Sequence, residues 1–193
     1  MKMKNVGQSI NWNNVDTVLL DMDGTLLDRH FDDYFFEEAL PHRYADKYGL
    51  DFIEAQKQLM AMYRGVEGQL IWADLPYWTE KLCIDVVALT RELDYLIGFL
   101  PDAVDFLHFL RGMGKTIYIT TNAHPTNVAI KIEKTGLNHY VDQIVHAFGS
   151  SYTIIFNEKN ETLSSIFLKS NSRGASAFLA ISINPTPAPL LSL

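Results

Sequence analysis

The stretch Val18-Leu19-Leu20-Asp21-Met22-Asp23-Gly24-Thr25-Leu26-Leu27 constrains the fold of this chain more than any other. A short apolar run closed by a turn signal reads as a buried strand. Two aspartates, one residue apart, stand where that strand gives way to a loop. The strand period of two sends both side chains to the same side of the backbone. Carboxylates that close repel each other unless a cation lies between them. Oxygen ligands at this spacing suit Mg²⁺, which takes one or two carboxylates together with a substrate phosphate. Gly24 lets the chain turn sharply, and Thr25 offers a hydroxyl and a backbone N–H.

Beyond Asp28 the texture changes. Phe31, Tyr34, Phe35, Ala39 and Leu40 recur at helical spacing, Tyr44 to Tyr48 continues the pattern, and Gly49 is a C-terminal stop. Residues 51–62, 77–82 and 86–96 read as further amphipathic helices, so 29–98 is a mostly helical insertion. Pro101 to Leu110 reads as a helix, Lys115 to Thr120 as a β-branched strand, Val128 to Thr135 as a helix ending at Gly136, and Gln143 to Phe148 as a third strand. Alternating strands and helices predict an α/β fold whose parallel sheet is covered on both faces. In such a sheet ligands gather at the carboxyl ends of the strands. Thr121 and Asn122, which follow the second strand, are therefore expected beside Asp21 and Asp23, where a hydroxyl and adjacent N–H groups hold a phosphate oxygen.

Composition narrows the function. The chain has 193 residues, nearly half of them hydrophobic, enough for one core plus a modest insertion. A net charge of −7 without a basic cluster disfavours a nucleic-acid partner, and no apolar run is long enough for a bilayer. No signal peptide is read at the N-terminus, and the single cysteine, Cys83, fits a reducing, cytoplasmic setting. Cys83 lies in an apolar helical stretch and is expected to be a buried thiol. His42, His108, His139 and His146 show no metal-ligand spacing. Trp72, Tyr77 and Trp78 offer faces for a purine base, but packing between helices is the favoured reading. His124 stands just past the phosphate site, where it either contacts substrate or caps the helix that opens at Pro125.

Asp21-Met22-Asp23-Gly24-Thr25-Leu26 resembles the first motif of the haloacid dehalogenase-like (HAD) hydrolases, and the apolar strand ending at Thr121 resembles their second. Thr121-Asn122-Ala123-His124-Pro125, Tyr77-Trp78 and Lys131 to Leu137 are similar to the family's bacterial GMP/IMP nucleotidases. The resemblance covers about residues 10–149. It implies a Rossmannoid parallel sheet from 1–28 and 99–193, with a helical cap at 29–98. It implies Mg²⁺-dependent hydrolysis of a small phosphorylated substrate, a purine 5′-nucleotide, with Mg²⁺ on Asp21 and Asp23. In that scheme Asp21 attacks phosphorus, Asp23 is the general acid/base, and Thr121 and Asn122 bind phosphate. Dehalogenase chemistry does not need Asp23; mutase chemistry shares it and stays open.

The resemblance also implies a lysine to balance the negative charge and an acidic pair after a fourth strand. Lys159 is the first candidate for the lysine, although Glu158 stands where the family usually has proline; Lys169 is the second. Phe178 to Ile181 is the candidate fourth strand, but Ser182, Ile183 and Asn184 follow it in place of the acidic pair. Residues 149–193 are therefore expected to be divergent and incomplete, from a truncated or frame-disrupted product or from a pseudoenzyme. The rival function is accordingly a catalytically impaired protein that acts by phosphate binding or protein interaction.

Overall fold

The computed structural model describes residues 10–148 and the strands Thr153–Ile154 and Phe178–Ile181. Five strands form one sheet: β1 (Thr17–Leu20), β2 (Thr116–Thr121), β3 (Gln143–His146), β4 (Thr153–Ile154) and β5 (Phe178–Ile181), in the order β4-β3-β2-β1-β5. β1 lies between β2 and β5 and is parallel to both, with Leu20 level with Ile119 on one side and Ile181 on the other. The fourth strand read from the sequence is thus the neighbour of β1. β2 and β3 are also parallel, whereas β4 pairs antiparallel with β3, which the sequence reading did not anticipate. Only six residues separate His146 from Thr153, too few for the crossover a parallel pair needs.

Val18 and Leu20 on β1, and Ile117 and Ile119 on β2, are wholly buried at alternate positions, while all four residues of β3 are buried. The helices α6 (Ala103–Gly112) and α7 (Pro125–Thr135) supply Leu107, Leu110, Val128 and Ile132 to the same core. α6 starts later than read, because Asp102 takes a left-handed conformation (φ 64°) after Pro101. At the amino end of β2, the Asp142 carboxylate accepts the Ile117 N–H (2.7 Å) and two bonds from Arg111 (2.9 Å each), which ties α6, β2 and the approach to β3 together.

The chain leaves the sheet through a tight loop. Leu26 and Leu27 N–H groups both donate to the Met22 carbonyl, and Gly24, at φ 77°, donates to that of Leu27. The outgoing and returning strands then pair: Asp28 N–H donates to Gly98 O, Leu100 N–H to Leu26 O, and Leu27 bridges Phe99 antiparallel. Between these points the chain is helical: α1 (His30–Tyr34), a π-helical turn (Phe35–Ala39), α2 (Leu40–Tyr48), α3 (Phe52–Arg64), α4 (Leu75–Leu82) and α5 (Val86–Glu92). Aspartates cap three of them, Asp51 to Glu54 N–H (3.0 Å), Asp74 to Tyr77 N–H (3.1 Å) and Asp85 to Ala88 N–H (2.8 Å). Gly49, in the left-handed region at φ 64°, closes α2.

The aromatic patch is core. Trp78 is 1% exposed, donates from Nε1 to the Trp72 carbonyl (2.7 Å) and meets the rings of Tyr63, Trp72 and Tyr77. Phe36 stacks on Trp72 at 5.3 Å. Cys83 corrects the sequence reading: it is exposed, because it ends α4 in a left-handed conformation (φ 49°) that turns it out of the apolar stripe. Among the described residues, no helix is long and apolar enough to cross a membrane.

Candidate active site

Asp21 is the first residue beyond β1, and Asp23 lies in the loop that Gly24 closes. Both are half-buried, with Met22 between them turned into the core. The parallel register puts Asp21 level with Thr120, so Thr121 stands one step further along the same sheet edge. Thr121 is buried and its Oγ1 accepts the Ala123 N–H (3.1 Å), which curls the chain after β2. Asn122, in that curl, is exposed. The structure therefore gathers four of the residues singled out in the sequence at the carboxyl ends of two adjacent strands. Lys159, Lys169 and residues 182–184 lie outside the described residues.

Among the described residues the site holds a lysine that the sequence reading did not single out, Lys131. It projects from α7, wholly buried, and its Nζ donates to Asp23 Oδ1 (2.7 Å) and to both carboxylate oxygens of Asp32 (2.9 Å each). The ammonium also lies 5.4 Å from the centre of the Phe31 ring. One signal in the sequence marks it. Val128, Lys131, Ile132 and Thr135 share one helical stripe, so a lysine stands on the apolar face of α7.

Electrostatics follow from this crowding. Burial raises the Asp21 carboxyl above its usual value and the charge of Asp23 adds to it, while the Met22 N–H and Lys131 pull the other way. Burial, reinforced by Asp23, pushes Asp32 up to about 6 against the pull of Lys131. Lys131 loses solvation, but Asp32 and Asp23 outweigh that loss and hold it above the usual lysine value. His124 begins α7 and caps it, its Nδ1 accepting the Thr126 N–H (3.2 Å), while its Nε2 faces Asp74 Oδ1 at 3.9 Å. Burial lowers the His124 value, with Asp74 opposing. His146 is lowered by burial and by the nearby His124.

The donor set fits a hard divalent cation. Asp23 shares the buried Lys131 ammonium with Asp32, the Asp21 carboxylate stands two residues away at the same sheet edge, and Mg²⁺ is held by one or two carboxylates plus substrate oxygens. The Thr25 hydroxyl, in the same loop, is buried without a partner among the described residues. No group of three or more His, Cys, Asp or Glu side chains is gathered for a metal among the described residues.

Comparison with known proteins bears on this geometry. The haloacid dehalogenase-like hydrolases match residues 15–162 as a family. The GMP/IMP nucleotidase YrfG of Escherichia coli (strain K12) is 42% identical over 143 residues, 73% of this chain and 64% of that protein. The protein of the same name from Shigella flexneri gives the same figures. The matched stretch thus spans less than two thirds of these curated relatives. Among solved structures, a HAD phosphatase from Thermococcus onnurineus superposes with a TM-score of 0.60 at 23% identity, over 68% of this chain and 62% of that one; the likeness is one of fold.

Proposed function

This chain belongs to the haloacid dehalogenase-like hydrolase family, and on that footing we propose that it hydrolyses phosphomonoesters, purine 5′-nucleotides among them, through an aspartyl-phosphate. The observation that carries the reading is the placement of Asp21 and Asp23 at the carboxyl end of β1, beside Thr121 at the end of β2. An Asp21 oxygen attacks phosphorus while the bond to the leaving alkoxide breaks. Asp23 gives its proton to that alkoxide, and later takes one from the water that hydrolyses the acyl phosphate. The Thr121 hydroxyl and the N–H groups of the curl through Asn122 hold the phosphate oxygens. Asp21, through its carboxylate, and Asp23, through its backbone carbonyl, would hold Mg²⁺, whose chemistry here is to neutralise charge on the transferred phosphate.

The helices between Asp28 and Gly98 act as the cap. They pack on α7, which rises from the carboxyl end of β2, through Arg91–Glu133 and Lys134–Asp94 (3.2 Å each) and through Lys131–Asp32. A cap of this kind excludes water and reads the substrate beyond its phosphate. The 42% identity to a GMP/IMP nucleotidase supports a purine nucleotide as that substrate. The single cysteine supports a reducing compartment, the cytoplasm, as the setting.

The test is release of inorganic phosphate from a panel of nucleotides and sugar phosphates, with and without Mg²⁺. Asp21→Asn is expected to lower turnover by at least about 1000-fold, since an amide cannot form the acyl phosphate. Undiminished turnover in that variant would end the covalent mechanism. The rival reading, phosphate binding without turnover, draws on the two-carboxylate donor set of the described residues. It is the outcome if orthophosphate raises the melting temperature while no ester in the panel is cleaved.

A further inference from the structure

Lys131 occupies a place that the proposed chemistry does not by itself require. The side chain is 2% exposed, and burying an ammonium costs several kcal/mol that its partners must offset. A tie between α1 and α7 needs no charge, because apolar side chains of similar volume serve as well or better. Nearby, Arg91–Glu133 and Lys134–Asp94 already join α7 to the inserted helices at the surface, where such pairs are worth ~0–1 kcal/mol. Among the described residues, what Lys131 alone provides is a side-chain hydrogen bond to one oxygen of the residue assigned to proton transfer. Nζ holds Asp23 Oδ1 at 2.7 Å, so the transferable proton belongs on Oδ2. Asp32 takes the rest of the ammonium with both oxygens at 2.9 Å and offsets its charge.

We propose that Lys131, seated by Asp32, is a positioning residue that fixes the Asp23 carboxyl for proton transfer and ties it to the first helix of the insertion. The inference rests on the phosphomonoesterase reading. In the step concerned, the Asp21–phosphorus bond forms and the phosphorus–alkoxide bond breaks. The proton on Asp23 Oδ2 passes to the alkoxide, leaving Asp23 as a carboxylate whose Oδ1 is still bonded to Lys131. Movement of the inserted helices therefore carries a direct link to Asp23, through Asp32 on α1.

The experiment compares two leaving groups in the full-length chain with Mg²⁺. A nucleoside 5′-alkoxide must be protonated as it leaves, whereas p-nitrophenolate leaves without an acid. Lys131→Met is expected to slow nucleotide turnover by about 100-fold with KM changed by less than about threefold, within the usual range for general acid catalysis. First-turnover release of p-nitrophenolate should fall by less than about fivefold. Asp32→Asn, which leaves a neutral Lys131–Asp23 pair, should show the same split at about tenfold; it carries the test if Lys131→Met does not fold. A structural role lowers both substrates equally, and equal losses would overturn the proposal. If the unaltered chain cleaves neither substrate, the phosphomonoesterase reading fails first; cleavage with equal losses removes only the role of Lys131.

Discussion

Asp32→Asn removes one of two carboxylates that share the Lys131 ammonium, and its effect on stability is expected to reverse part of the pH dependence of the fold. Burial, reinforced by Asp23, raises the Asp32 carboxyl from 3.8 to about 6 in spite of Lys131. The side chain is 20% exposed, so solvent screens little of this. A carboxyl whose folded value exceeds its unfolded one contributes most below about pH 3.8 and loses that contribution as pH rises through about 6. A rise of about two pK units corresponds to about 3 kcal/mol in all, of which about 2 kcal/mol falls between about pH 4.5 and 7.5. Asparagine has no such proton to lose. The variant should therefore gain about 2 kcal/mol on the unaltered chain across that interval. Histidine protonation at the acid end enters both proteins alike and cancels. The assay is urea denaturation followed by tryptophan fluorescence at about pH 4.5, 5.5, 6.5 and 7.5 in Mg²⁺-free buffer. Parallel stability curves, or a variant that loses ground as pH rises, would refute the reasoning.

Two further outcomes follow from other parts of the molecule. Trp78→Phe leaves the Trp72 carbonyl without its 2.7 Å donor and opens space in the aromatic core, so unfolding should become easier by about 2–3 kcal/mol. A loss of unfolding free energy, read from denaturant curves, of under about 0.5 kcal/mol would show that the cluster repacks freely. His124 and His146 have lowered values, so their contribution is complete above about pH 6.5 and is lost as pH falls through those values. His124→Asn keeps a capping side chain but removes one titrating group, and its melting temperature should fall less steeply from about pH 7 to 5; an identical slope in both proteins would contradict this.

Much of the site was legible because its signals are local. Asp21, Asp23 and Gly24 lie within one turn of chain, and Thr121 follows an alternating strand whose parallel register with β1 does the rest. Helix ends were legible for the same reason, as Gly49 and Gly136 both take left-handed conformations at their stops. What escaped is what depends on distant pairing. Lys131 meets Asp23 across 108 residues and Asp32 across 99, so no window of sequence contains both partners. Only its place on an apolar stripe betrays it. Cys83 was misread because helical periodicity reports the face of a helix but not the residue that ends it. His124 was left open between two roles; the cap is the one the hydrogen bond shows, and the same ring faces Asp74.

The π-helical turn at Phe35–Ala39 has a consequence for how this chain tolerates changes of length. The Leu40 N–H reaches back five residues to Phe35 O, and Pro41 follows with no N–H to offer. The carbonyl of Glu37, four residues before that proline, is met instead by the Gln56 amide from α3. The wide turn lets one continuous helical stretch serve two directions. Its first part faces α7 with Phe31 and Asp32, and its second faces α3 with Tyr44. Losing a single residue between 35 and 39 would regularise the helix, yet swing one part about 100° relative to the other. Asp32 would leave Lys131, or Tyr44 would leave Gln58. The same deletion in the loop around Gly68 would cost neither contact. Length variation within the insertion is thus barred at the turn whose backbone looks least regular and free where the chain is exposed.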